Sequence, residues 1–124
     1  MNNKFKYHFN NSLKILFKYY YGHITINDIE SSWEYAFKNN LIPKDTKGFV
    51  LDYTNATLDM KPDEHTAIAD FYKKHIEIFR NYKIGIVTDN PKDVVIPILV
   101  KTKDDGYESS PFSSMEAAIE WVLH

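Results

Sequence analysis

The chain contains no cysteine. That absence removes disulfide frameworks, zinc ribbons, iron–sulfur ligation and thiol nucleophiles together. Arginine is almost as scarce: Arg80 stands alone among 15 basic side chains, so a site of several bidentate guanidinium clamps on phosphate is excluded. Four scattered glycines make no glycine-rich phosphate loop. The longest strongly apolar run, Val94 to Val100, contains Pro97 and falls far short of the ~20 residues that cross hydrocarbon, so no membrane insertion is expected. Residues 1–10 alternate polar and apolar side chains and offer nothing like an export signal. A formal charge of -2, from 15 basic and 17 acidic groups, argues against a nucleic-acid binder held by counterion release.

What is present describes an ordinary water-exposed domain. With 124 residues, 44% apolar and 26% charged, the chain reads as a single domain over residues 1–124 whose core needs no metal or disulfide staple. A cytoplasmic location fits a cysteine-free chain.

Phe5, Tyr7 and Phe9 alternate with Lys6, His8 and Asn10. After the turn Asn10-Asn11-Ser12, residues Leu13, Ile15, Phe17 and Tyr19 alternate with Lys14, Leu16, Lys18 and Tyr20. Period two on both sides of a turn predicts a β-hairpin, with Gly22 ending its second strand. Thr25 to Asp28 is a capping box that starts a helix; Ile29, Trp33, Ala36 and Phe37 form its apolar stripe, and Asn39-Asn40 with Pro43 marks its end. Gly48 to Tyr53 is an apolar run suited to a strand covered on both faces. A loop is expected from Tyr53 to Lys61. Pro62-Asp63-Glu64 then opens a long helix with Ile68, Phe71, Tyr72, His75, Ile78 and Phe79 inward. Lys83 to Asp89 reads as the next buried strand, and Asn90-Pro91 starts a helix in which Pro97 predicts a kink or a split. Asp104-Asp105-Gly106 is a turn and Tyr107 to Phe112 an edge strand. Ser113 to Glu116 is a second capping box, opening a terminal helix with Ala118, Ile119, Trp121 and Val122 inward. The order ββαβαβαβα, a short hairpin followed by helical crossovers, predicts a mixed α/β sheet: an N-terminal antiparallel hairpin, then parallel βα units.

Four stretches carry a resemblance over nearly the whole chain: Tyr21 to Thr25, Val50 to Tyr53, Ile84 to Val87, and Phe112 to Val122. They resemble the STAS, or anti-sigma-factor-antagonist-like (SpoIIAA-like), domains, and more closely the bacterial STAS-like proteins of unassigned role. The resemblance implies a regulatory fold with an interaction surface. Switchable members of that family carry a phosphoacceptor serine in an Asp-Ser-Ser-Gly-like turn before the helix that follows the third strand. The matching stretch here, Asp59-Met60-Lys61-Pro62, holds no hydroxyl.

No catalytic constellation and no cofactor motif accompanies this pattern. Asp52 and Asp89 end predicted strands, where open parallel sheets bind ligands, and with Asp59, Asp63 and Glu64 they suggest a hard-cation site or an Asp52 phosphoacceptor; the simpler reading is strand-end and helix-start capping. His75 sits between Phe71 and Phe79 without the spacing of a metal motif. Tyrosines such as Tyr19, Tyr20, Tyr21 and Tyr107 suit strands that bury the ring and wet the hydroxyl better than stacking platforms for bases. The favoured expectation is a non-enzymatic adaptor binding a partner protein through Tyr53, Thr54, Asn55, Leu58, Asp59, Met60 and Lys61 and the helix that follows, with a homodimer as a subsidiary reading. The alternative is a small apolar or lipid-like ligand held beside Val94, Pro97 and Ile98, between the sheet and the proline-interrupted helix.

Overall fold

The structure is a computed structural model and describes residues 4–124. Met1, Asn2 and Asn3, part of the stretch read above for an export signal, lie outside the described residues. Five strands form one sheet in the order β1-β2-β3-β4-β5: β1 (Phe5–Asn10), β2 (Ile15–Ile24), β3 (Gly48–Leu58), β4 (Lys83–Val87) and β5 (Glu108–Phe112). The first pair is antiparallel and the other three are parallel, as the hairpin and the helical crossovers require. The helices are α1 (Ile26–Lys38), α2 (His65–Lys74), α3 (Ile76–Phe79), α4 (Pro91–Lys101) and α5 (Met115–Leu123).

Because the strand order advances in one direction, right-handed crossovers place every connecting helix on the same side of the sheet. Side chains of α1, α2, α3 and α4 accordingly share one large core with Leu16, Tyr20, Phe49, Leu51 and Ile84. The other face is left to α5, whose Ala118 and Val122 pack on Ile15, Phe17, Val50 and Val87. Two glycines allow that close approach. A Cβ on Gly48 would stand 2.5 Å from Val122 Cγ1 and 2.8 Å from the Lys83 carbonyl oxygen. Gly48→Ala is therefore expected to cost about 1–3 kcal/mol, seen as a lower urea midpoint. Gly85→Ala, 3.2 Å from Ala118 Cβ, costs less.

Several local expectations are corrected. Gly22 does not end β2; it sits inside the strand at φ +79, and β2 runs on to Ile24. The region expected as a loop from Tyr53 is strand as far as Leu58. The helix opened by Pro62 begins as a 3-10 turn, Pro62–Glu64, and breaks at His75, which caps α2 and lies against Phe71 at 4.6 Å and Phe37 at 5.0 Å. Pro97 does not split α4, which runs unbroken through it. The terminal helix is capped by Ser114 rather than Ser113: its hydroxyl accepts the Ala117 N–H. The Thr25 box is as expected, with Asp28 N–H bonded to the threonine hydroxyl and the Asp28 carboxylate to Thr25 N–H.

The outer edge of β5 is blunted. The Glu108 N–H bonds Tyr82 on the β4 side, so Ser109 and Pro111 face outward. Ser109 donates its N–H to the Asp104 carboxylate at 2.6 Å, and Pro111 has none to offer, which closes the edge to further strands.

Candidate functional site

In an open parallel sheet the strands' carboxyl ends are where ligands and partners are met. Here that end is uneven. β4 makes its last pair with β3 at Asp52↔Val87, whereas β3 keeps pairing with β2 as far as Ile24↔Leu58. The two long strands therefore project beyond β4 as a parallel arm. An extra β3 residue between the pairs Tyr19↔Asp52 and Tyr21↔Asn55 makes a bulge at the arm's base. The arm is braced where Thr57 Oγ1 meets His23 Nδ1 at 3.1 Å.

Two open clefts flank it. One, of about 290 Å³, lies between Thr54–Thr57 and the β4–α4 connection at Asp89 and Asn90, with Gly22 and His23 at its side. The other, of about 420 Å³, is lined by His23, Thr57, Leu58, Asp59 and Lys92. Asp52, almost buried, accepts the Thr54 N–H at 2.9 Å. Partial burial first, and then the adjacent Asp52 carboxylate, raise the pKa of the Tyr19 hydroxyl paired beside it. Asp93, in the first turn of α4, is buried and accepts the Leu58 N–H at 3.3 Å.

The residues expected to meet a partner divide between core and surface. Tyr53 is buried and stacked on Tyr20, 4.4 Å between ring centres, and Leu58 is buried too. Neither can be a contact residue without opening the core. Thr54, Asn55, Asp59 and Lys61 are exposed and Met60 is half-buried. Thr54 and Asn55 line the first cleft and Asp59 the second. His23, Thr57, Asn90 and Lys92 complete the rim and were not foreseen. The signal for them was faint: only the helix start at Asn90-Pro91 was readable, and nothing local says that β2 and β3 outrun β4. Among the described residues no three His, Asp or Glu side chains gather as metal ligands.

No family model matches the chain, and no curated protein matches it. A solved structure does. An uncharacterised protein of the DUF3478 family with a SpoIIAA-like fold, from Shewanella loihica PV-4, aligns over 98% of both chains with a TM-score of 0.65 at 14% sequence identity. The fold is SpoIIAA-like. At that identity the likeness concerns the arrangement of the elements, which agrees with the resemblance seen in the strand and helix motifs. Among the described residues no helix is long and apolar enough to cross a membrane.

Within this SpoIIAA-like core, Pro97 lines an apolar cavity of about 30 Å³ together with Leu51, Tyr53, Tyr72 and Ile96. Val94, half-buried, and Ile98, 48% exposed, lie outside it. A void of that size holds about one water, whereas sites for small ligands span ~300–1,000 Å³.

The opposite surprise is Lys18. It is fully buried, and Nζ has no hydrogen-bond partner among the described residues. The amine instead faces aromatic rings from two strands and a helix: Trp33 at 3.8 Å, Tyr20 at 4.8 Å and Tyr7 at 5.3 Å from their centres. Burial holds its pKa well below the ordinary lysine range. Lys18 shares its face of β2 with Leu16 and Tyr20, and that face is the one α1 covers.

Proposed function

We propose that the protein is a non-enzymatic regulatory or adaptor domain, acting in the cytoplasm, that binds a partner protein at the carboxyl end of its sheet. The observation that carries this reading is the rim itself. Thr54, Asn55 and Thr57 present short, uncharged, hydrogen-bonding side chains on a projecting arm, and Ala56 between them leaves the backbone accessible. Such a surface is suited to contact, and its titratable groups, His23, Asp59, Asp89 and Lys92, do not form a nucleophile–base pair. The SpoIIAA-like fold supports a regulatory role. The stretch Asp59-Met60-Lys61-Pro62 offers no hydroxyl where switchable STAS domains are phosphorylated, so binding here is read as constitutive.

The test is affinity capture by the full chain, followed by quantified binding of the captured partner. Asn55→Arg and Met60→Asp are expected to weaken binding tenfold or more, while Glu77→Arg, on α3 at the other end of the sheet, leaves it unchanged. Leu58 is unsuitable as a probe because its side chain is buried. Retention of full affinity by both rim variants would refute the proposal.

A further inference from the structure

We infer that the rim captures its partner as an extended peptide that adds to the free edge of β3 beside Ala56. The inference rests on the reading of this rim as a protein-binding surface and specifies the chemistry of what binds. Beyond the bulge, Asp59 donates its N–H to Ile24 of β2 and Leu58 donates in the opposite direction, to Asp93. Backbone polarity alternates along a strand, so Ala56, two residues before Leu58, points its N–H away from β2 as well. In a parallel ladder its carbonyl points the same way. Among the described residues no strand meets it there, because β4 has ended at Val87. What lies there is the cleft of about 290 Å³ facing Asp89 and Asn90.

The neighbouring edge donors are already occupied. Thr54 N–H is taken by Asp52 and Leu58 N–H by Asp93, which leaves the Ala56 pair as a short, bounded docking point. The blunted edge of β5 makes the contrast plain: there Asp104 and Pro111 close the outward backbone, whereas the overhang of β3 beyond β4 leaves its outward backbone open inside a cleft. A main-chain donor and acceptor of one residue facing the same way are matched by another extended backbone, the basis of strand addition. Among the described residues lining the two clefts, Asp59 and Asp89 outnumber Lys92, so a peptide carrying basic residues is favoured over an acidic one.

The test uses the ¹⁵N-labelled full chain and a capped pentapeptide, Val-Lys-Val-Lys-Val. The expected result is amide shifts concentrated at Thr54–Thr57, with hydrogen exchange slowed most at Ala56. The same peptide methylated on every backbone nitrogen is expected to bind at least tenfold more weakly, and so is a Val-Glu-Val-Glu-Val counterpart. Ala56→Pro, which removes the outward N–H but also fixes φ there, is expected to reduce affinity by a similar factor, with unchanged amide shifts of β2 showing that the arm is kept. Equal binding of the methylated peptide, shifts centred elsewhere, or no shift at millimolar peptide would overturn strand addition. Each of those outcomes leaves the adaptor reading to stand or fall on Asn55→Arg and Met60→Asp.

Discussion

Lys18→Met is expected to stabilise the protein at neutral pH, on the scale of the ~1–4 kcal/mol seen when buried ion pairs give way to apolar residues of similar volume. Lysine at this position meets only ring faces. Cation–π contact returns ~2 kcal/mol or more when desolvated, against an effective cost of several kcal/mol for taking an ammonium out of water. Desolvation wins, which is why the folded-state pKa lies well below the ordinary one. The sign of the pH dependence follows. Between the depressed folded value and the unfolded value near ~10.4, the unfolded chain binds one proton more than the folded chain. Unfolding free energy therefore rises with pH across that window, by ~1.4 kcal/mol for each unit of the gap. Above about pH 10 the slope reverses. Burial raises the pKa of Tyr7, Tyr20, Tyr53 and Tyr72, and the unfolded chain loses those protons first. Urea titrations from pH 6 to 11 should show the native protein climbing toward a maximum near pH 10, and Lys18→Met lacking the climb while keeping the fall. A variant less stable than the native protein at pH 7 with an unchanged slope would contradict the burial of an unpaired amine.

Trp33→Ala is expected to cost about 3–5 kcal/mol, the usual range for deleting a buried large aromatic. Domains of this kind have ~5–15 kcal/mol of stability in all, so the variant should be partly unfolded at 37 °C by circular dichroism. Trp33 is fully buried and joins the helical layer to the sheet: its ring meets Phe49 on β3 edge-on at 5.3 Å, Phe79 on α3 at 5.0 Å and Phe37 along α1 at 6.3 Å. It is also the nearest wall of the Lys18 cage. Removing it opens a route for water to the amine, so the Lys18 pKa should move back toward its ordinary value and the alkaline climb should shrink. The two substitutions are therefore not additive. The double variant measures how much of the loss in Trp33→Ala is cavity and how much is altered solvation of Lys18.

Much of this architecture is legible along the chain. The hairpin is announced by alternation around Asn10-Asn11-Ser12, and the start of α1 by Thr25 and Asp28. The burial of β3 and β4 on both faces follows from their unbroken apolar runs. Errors arise where a local rule meets a tertiary one. Pro97 costs a helix bond inside a helix, yet it is buried on the inner side of α4, lining the same small cavity as Leu51 and Tyr53, and the helix runs on through it. Gly22 reads as a strand end, but in a bulged pair its positive φ lets β2 continue. Charged residues in alternating strands are usually solvated, and nothing along the chain marks Lys18 as the exception that α1 buries.

The candidate site was legible only as a neighbourhood. Asn55 and Asp59 are exposed and Met60 half-buried, while Tyr53 and Leu58 of the same short stretch turn inward. The reason is the bulge: β3 sends Phe49, Leu51 and Tyr53 to the helical face, and the extra residue before Asn55 shifts the alternation by one, so Ala56 and Leu58 share that face.

By itself, then, the sequence determined the chemistry that this protein lacks and the order of its elements, since both are properties of residue types and their periodicity. Only the tertiary structure decided three further things: that three crossovers share one face, that a lysine is walled in by Tyr7, Tyr20 and Trp33, and that β3 outruns β4 to leave Ala56 open. Each is a relation between distant segments, whether the order of the strands, the elements that meet around one side chain or the length of one strand beside another, and no local pattern encodes it.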